Sequence, residues 1–349
     1  MRQVYVGIDV GSKHCAAVAI DKKGKMVDSE TFRTSEHSLI GFTQRQKGQV
    51  TVLIEEGEMA GWVRRVLKPH VASVAVSDPR RNAWVAKAGN KNDTVDAAKL
   101  AELLRLDSFS PVWHPDEDEM AGFKVLVQHY DETSKRLSRT KCQIKALFRR
   151  QGVITRGNTV YGKVGRLEAL GNVADQHVRR AIEQDYELLD YLARAKATAR
   201  RHLVEASRAF QVIARLKKVP GVGPVLAARF VAYVGDPRRF NKRTIVSYSC
   251  LGIVKRSSDG SPIGREHLNR AGNAVLKDVS RTAFERARAT RRPNGIKEFY
   301  RRSLGRTGSE TKARLNTQRK ILAVMLAMWR DGTEYSDELV GGTGAFTGA

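Results

Sequence analysis

The stretch VYVGIDVGSKHCAAVAID, residues 4–21, sets an aspartate, Asp9, inside an apolar run, follows it with a glycine-containing turn, and then begins a second apolar run. The pattern predicts two strands, residues 4–10 and 15–20, joined by a tight turn. A carboxylate within an apolar strand is costly unless it is paired or holds a metal. Two enzyme classes open in this way. In one, the glycine turn after the strand cradles ATP phosphates; in the other, the aspartate holds a metal ion used to cut nucleic acid.

Outward from this hairpin, the turn at residues 21–25 leads to a third strand over 26–32, giving a β-meander. A helix is expected over 38–45, a short strand over 51–54 ending in Glu55-Glu56, a helix over 60–67 and a buried-type strand over 73–76. A helix over 92–106 carries Ala97, Leu100, Ala101 and Leu104 on one face. A meander followed by β-α units predicts a mixed sheet flanked by helices, an α/β domain over residues 1–110.

The remainder reads as helical. The stretch from Pro111 to Pro115 breaks the pattern as a linker. Residues 118–150 look helical, and residues 131–160 hold eight Lys or Arg against two acidic residues. Apolar positions 182, 189, 192, 199, 203, 206, 210 and 213 step mostly by three, four and seven, a narrow seam that suits a coiled coil or a helical hairpin. Residues 116–217 are therefore expected as a helical or coiled-coil segment, 218–332 as a mainly α C-terminal domain, and 333–349, with its Gly-rich end, as a flexible tail.

Composition narrows the partners. The 349 residues include 62 Lys plus Arg against 37 acidic residues, a net charge of +25. Such a surplus points to a polyanion, and nucleic acid is the usual one. No run approaches the ~20 apolar residues of a membrane span, and Asp9 interrupts the first apolar run where a signal peptide would need continuity. Cys15, Cys142 and Cys250 lie far apart with no CxxC, which argues against a zinc site or disulfide framework and suits a reducing cytosol.

Four carboxylates draw attention. Asp9 lies on the first strand, Glu55 ends the 51–54 strand, and Asp93 and Asp96, three apart, share a helix face. Carboxylates that converge repel unless a cation compensates, and oxygen-only ligands suit Mg²⁺ or Mn²⁺. Two such ions about 3.5–4 Å apart can clamp the attacking and leaving oxygens of a phosphodiester. Plain structural readings stand beside this one. Asp93 would serve as a helix N-cap, Asp96 as a first-turn charge favouring the helix dipole, and Glu55 or Glu56 as a surface residue. Farther on, Pro220-Gly221-Val222-Gly223-Pro224 reads as a helix-hairpin-helix turn. There Gly221 and Gly223 would let the backbone approach a phosphate, unless the segment is only a tight turn between helices.

The segment Lys91-Asn92-Asp93-Thr94-Val95-Asp96-Ala97-Ala98-Lys99-Leu100-Ala101 fits the signature K-x-D-x-x-D-A-x-x-L-A. With GIDVGSK and IEEG…W, it resembles the DEDD transposases of the insertion-sequence-110 family. The likeness continues through PGVG, Gly235-Asp236-Pro237-Arg238-Arg239-Phe240, Leu251-Gly252, Gly272-Asn273, the run from Gln318 to Leu322, and Ala327-Met328-Trp329, in the family's order. It implies a RuvC-like, RNase H-type N-terminal domain with Asp9, Glu55, Asp93 and Asp96 as a DEDD site for Mg²⁺ or Mn²⁺; Glu56 is the adjacent alternative to Glu55. It also implies a serine nucleophile in the loop between the LG and GN motifs. Counting back from Gly272-Asn273 favours Ser258, with Ser257 and Ser261 nearby. The chain has SSDG where many relatives have a direct Ser-Gly, and Lys255 where a Pro is common. Lys255, Arg256 and Arg265 are expected to clamp phosphates, as are Lys277 and Arg281.

On this resemblance the function is excision and insertion of a mobile element, with donor and target DNA and a structured guide RNA as partners. A homodimer or homotetramer in a prokaryotic cytosol is expected. A RuvC-type junction endonuclease using water as nucleophile is the alternative among nucleic-acid enzymes. The kinase-like ATPase reading of GIDVGS needs a second phosphate loop of Asp-Gly-Gly type, and residues 100–330 contain none. A non-catalytic nucleic-acid scaffold is the third class.

Overall fold

The computed structural model describes residues 2–80, 92–115, 118–255, 257–258, 261–262 and 264–341. They divide into two compact units, Met1–Asp116 and Glu117–Ala349.

The first unit contains β1 (Gln3–Val10), β2 (His14–Asp21), β3 (Met26–Arg33), α1 (Glu36–Arg45), β4 (Gln49–Glu55), α2 (Ala60–Leu67), β5 (Ser73–Ser77) and α3 (Asp93–Arg105). The strands form one mixed sheet in the order β3-β2-β1-β4-β5. The meander pairs antiparallel, and β1-β4 and β4-β5 pair parallel. Side-chain alternation sorts the two faces. Val4, Val6, Ile8, Cys15, Ala17, Ala19, Val50, Val52 and Ile54 pack against α1 and α2 through Leu39, Phe42, Val63 and Leu67. Tyr5, Ala16, Val18 and Ile20 meet Ala97 and Ala101 of α3 on the other face, and Leu53 meets Leu100 there.

Gly7 sets how closely α3 approaches. A Cβ on Gly7 would stand 2.0 Å from the Ala97 carbonyl oxygen and 2.4 Å from the Ala101 amide nitrogen. These are backbone atoms, so the helix itself would have to move. The direction of α3 follows from its C-terminal end, where Arg105 donates to the Lys22 carbonyl at 3.3 Å in the β2-β3 turn. That turn follows Asp21, the partner of Val4 at the start of β1. Hence α3 runs antiparallel to β1, and its N-terminus lies toward the C-terminal end of β1.

The expected linker at 111–115 is not simply a break. Pro111 bridges Ser77, and the Val112 amide donates to the Val76 carbonyl at 2.7 Å. The edge of β5 offers backbone groups that need partners, and a proline is tolerated there because it lies at the margin of the sheet.

In the second unit, α4 (Asp118–Arg150) packs against α6 (Gln176–Ala206). Gln143 donates to Asp185, and Lys196 lies over the Tyr130 ring, so the two helices run antiparallel as a hairpin within the chain. α5 (Lys163–Gly171) joins them, with Arg166 forked onto Asp190 at 2.7 and 2.6 Å. Ile182, Leu189, Leu192, Ala199 and Leu203 are buried on α6, as the seam predicts, and Tyr186 joins them. The helix stops at Ala206, however. Positions 210 and 213 of the expected seam fall beyond it, with Ile213 on the separate α7 (Gln211–Leu216).

α8 (Pro224–Val234), α9 (Lys242–Tyr248), α10 (Ala274–Ala289), α11 (Gly295–Thr307), α12 (Glu310–Arg330) and α13 (Asp337–Gly341) complete this unit. Between α9 and α10 the chain makes two short ribbons. β6 (Ile253–Val254) pairs with β9 (His267–Leu268), and β7 (Ser257–Ser258) with β8 (Ser261–Pro262). One apolar core joins Met120, Phe123 and Leu203 of the hairpin to Phe230, Phe284 and Leu322, so it crosses the expected boundary at 217/218. The expected flexible tail is docked at its start. Asp337 Oδ1 accepts from the Gly295 amide and the Tyr335 hydroxyl, both at 2.6 Å, and Val340 is buried. Residues 342–349 lie outside the described residues.

Gly7→Val is expected to lower the stability of the first unit by roughly 1–3 kcal/mol, the usual cost of overpacking. Urea unfolding followed by a probe in that unit measures it; an unchanged midpoint would contradict the close approach of α3.

Candidate active site

Two strand ends and one helix N-terminus carry the acidic residues. Ile8 of β1 pairs with Ile54 of β4 in parallel register. One residue farther along each strand come Asp9 and Glu55, on neighbouring strands about 4.8 Å apart. Asp9 shares the α3 face with Tyr5 and Gly7, and Glu55 shares it with Leu53, by the two-residue period of a strand. Small residues flank both: Asp9 pairs with Ala16 and Glu55 with Ser77. Because α3 runs antiparallel to β1, its first turn, with Asp93 and Asp96, is carried toward this same end.

The cap of α3 is Asn92, whose side chain accepts from the Thr94 amide at 3.2 Å. Asp93 is therefore not needed as the cap and stands exposed in the first turn. Asp96 is half-buried and accepts from Lys99 at 3.0 Å. Asp9 and Glu55 are half-buried, and both are engaged by neighbouring groups. Glu56 goes elsewhere. It meets His114 Nε2 at 2.6 Å, and His114 stands beside Gly61 of α2, on the opposite side of the sheet from α3. The geometry favours Glu55 over Glu56 as the member of the acidic edge, and His114 is a partner that the sequence reading did not single out.

The donors at this edge are all carboxylate oxygens, the chemistry that suits Mg²⁺ or Mn²⁺. Among the described residues, no three His, Cys, Asp or Glu side chains are gathered around a single point that could hold an ion. The four carboxylates are thus brought to one edge without closing on one another. Residues 81–91, which connect β5 to α3 in sequence, lie outside the described residues.

The serine segment is a ribbon, not a plain loop. Ser258 pairs with Ser261, and Ser257 with Pro262. Ser257 is exposed. Arg256 lies outside the described residues. Lys255 is exposed and pairs with Glu266 at 2.7 Å, which raises its pKa above the usual lysine value. Arg265 is exposed, and Arg281 is held by Asp278 at 2.6 Å. The base of the ribbon is fixed from α12. Arg319 donates from Nε and Nη2 to the Leu251 carbonyl at 3.0 and 2.8 Å, and from Nη1 to Asn316 at 3.2 Å. Burial lowers the Arg319 pKa from its ordinary value. The sequence named this residue only as part of a final-helix motif; its role needs the tertiary contact.

The two glycines of the PGVG turn differ. Gly221 has φ +82°, and a Cβ there would lie 2.1 Å from the Ala283 carbonyl oxygen of α10. Its described environment is a helix backbone, so its lack of a side chain serves packing. Gly223 instead stands at the start of α8, with Arg286 at 3.7 Å from its Cβ position.

Arg319→Met is expected to leave the Leu251 carbonyl without its guanidinium donor, at a cost of about 1–3 kcal/mol. Amide hydrogen exchange should then quicken at residues 251–255 and 264–269 and stay unchanged in the first unit. Unchanged exchange at the ribbon base would show that Arg319 does not hold it.

Comparison with known proteins gives two matches in chain order. A family model for DEDD transposases of IS110 type matches residues 6–151, and a second, the transposase IS116/IS110/IS902 family, matches residues 213–301. The chain is 24% identical over 382 residues to an uncharacterized 44.8 kDa protein of insertion element IS116 from Streptomyces clavuligerus, covering 94% of this chain and 95% of that one. It is 26% identical to an uncharacterized 43.6 kDa protein of insertion element IS110 from Streptomyces coelicolor, covering 97% of each. It is also 22% identical to the transposase for insertion sequence element IS1111A of Coxiella burnetii, covering 78% of this chain and 75% of that one. With both family models matched in chain order, over residues 6–151 and 213–301, the chain belongs to the IS110/IS116/IS902 family of transposases.

Proposed function

We propose that this transposase excises and inserts an insertion sequence by divalent-metal-assisted cleavage and rejoining of DNA, with Ser258 as nucleophile and a structured RNA as guide. The N-terminal unit is read as RuvC-like. The observation that carries the proposal is the β1-β4 register, which brings Asp9 beside Glu55 on the face that α3 covers. Asp9 and Glu55 would supply oxygen ligands from two strands, and Asp93 and Asp96 from the first turn of α3. A bound Mg²⁺ or Mn²⁺ would neutralise charge on the phosphodiester oxygens.

In the cleavage step, Ser258 Oγ forms a bond to phosphorus and one bridging P–O bond breaks. The serine proton is lost to a base, and the departing DNA oxygen takes up a proton as it becomes a hydroxyl. One phosphoester replaces another, so a second DNA hydroxyl can reverse the exchange and rejoin a strand without an external energy source. The net charge of +25 supports contact with both DNA and RNA duplexes.

Asp9→Ala and Glu55→Gln are each expected to slow cleavage by at least about 10³-fold, since metal stabilisation of this kind amounts to several kcal/mol, while Glu56→Gln retains most activity. Cleavage of labelled element ends in Mg²⁺, run on a denaturing gel, measures both. Cleavage by Asp9→Ala at the wild-type rate would overturn the acidic-edge assignment. The same gel should show protein joined covalently to DNA. The adduct should vanish in Ser258→Ala and persist in Ser257→Ala and Ser261→Ala; cleavage with no adduct in the wild type would favour water as nucleophile. Sequencing RNA that co-purifies with the chain tests the guide, with transcripts from the element's own flanks expected and an absence of bound RNA counting against it.

A further inference from the structure

A groove of about 670 Å³ opens in the second unit, lined from four helices far apart in sequence. α4 contributes Tyr130, Ser134 and Lys135, α6 contributes Lys196 and Arg200, and the starts of α8 and α10 close the far side. Its volume falls within the roughly 300–1,000 Å³ range of ligand sites.

The charges divide into two sets. Arg229 is structural: it pairs with Asp131 at 3.0 Å and with Asp278 at 2.8 Å. Burial pushes the Asp131 carboxyl above the usual range, and the Arg229 charge opposes that. Lys196, Arg200 and Arg286 are different. Among the described residues none of them has a carboxylate partner. The lining holds five cations, Lys135, Lys196, Arg200, Arg229 and Arg286, against two carboxylates, Asp131 and Asp278, an excess of positive charge that an anion would relieve.

The start of α8 lines the same space. α10 is capped by Asn273, which accepts from the Val275 and Leu276 amides. α8 has Gly223 as its cap residue and no side-chain cap, and Pro224 supplies no amide. The first-turn amides of Val225 and Leu226 are thus left for an acceptor from outside the helix. Tyr130, Val225 and Val275 provide apolar and aromatic surface between these polar groups. A site with phosphate-type donors at one side and a ring and aliphatic wall beside them matches a nucleotide unit better than a small inorganic anion.

We propose that this groove seats the phosphodiester backbone of a nucleic-acid strand, with Lys196, Arg200, Arg286 and the first turn of α8 as its phosphate contacts. The inference rests on the reading that the chain handles nucleic acid but is independent of the acidic edge and of Ser258. DNA and RNA share the chemistry recognised, and the test separates them.

The full chain is titrated against fluorescein-labelled duplex DNA, single-stranded DNA and RNA over a range of salt in EDTA, so that cleavage plays no part. Arg200→Ala/Arg286→Ala is compared with Lys22→Ala/Lys23→Ala, which removes the same charge from an exposed turn of the first unit. The groove variant should weaken at least one probe about fivefold or more beyond the control, and its salt slope should fall by about 0.7–0.9 for each lost contact. Loss confined to RNA assigns the groove to RNA, and loss confined to DNA assigns it to DNA. Equal losses in the groove and control variants with all three probes would overturn the proposal. Arg200→Gln alone, on an exposed position of α6, repeats the comparison if the double variant does not fold.

Discussion

The first unit depends on one close approach, that of α3 to β1 across Gly7. Nothing larger than hydrogen fits between that residue and the Ala97 carbonyl. With the helix so close, its first turn is delivered to the end of the sheet where β1 and β4 finish in parallel register. Parallel pairing matters here, because it puts the C-terminal ends of both strands at one edge. An antiparallel β1-β4 pair would send Asp9 and Glu55 to opposite ends. The hydrophobic alternation of the strands then decides the face. Val4, Val6 and Ile8 commit one face to α1 and α2, which leaves Tyr5, Gly7 and Asp9 for α3.

The second unit uses charge in two ways. The Asp131-Arg229-Asp278 group, buried at Asp131 and half-buried at Asp278, ties α8 to α4 and α10, and removing one partner would leave a poorly solvated charge uncompensated. The surrounding cations without acidic partners contribute nothing of that kind to the fold. The same distinction applies at the ribbon. Arg319 holds a backbone carbonyl and so shapes the base of the ribbon, while Lys255 pairs with Glu266 at the exposed surface, where solvent screens the attraction.

The parts legible in the sequence were those with local causes. α2 begins and ends at the predicted residues, and β1, β2 and α3 lie within two residues of prediction, because alternation and the 3.6-residue period are local signals. The carboxylates were visible as residue types at element ends, but not their grouping. That needed the β1-β4 register and the direction of α3, both non-local. The Asn92 cap, which frees Asp93 from that duty, sits one residue from where a cap was considered. The pairing of residues 110–112 with β5, the break after Ala206 and the docking of Asp337 were missed because each is decided by a partner distant in sequence. The basic groove was invisible for the same reason: its walls come from residues near 130, 200, 225 and 280, and no window of sequence contains them together.

The proposed role of the acidic edge of the first unit is to hold a divalent cation. Mn²⁺ binding to the full chain, followed by electron paramagnetic resonance, tests it without requiring any DNA chemistry. Mn²⁺ should bind to the wild type and to Glu56→Gln, and binding should be lost or weakened by at least about tenfold in Asp9→Asn and Glu55→Gln, because each removes a charged oxygen ligand. Equal Mn²⁺ affinity in all four proteins would contradict it.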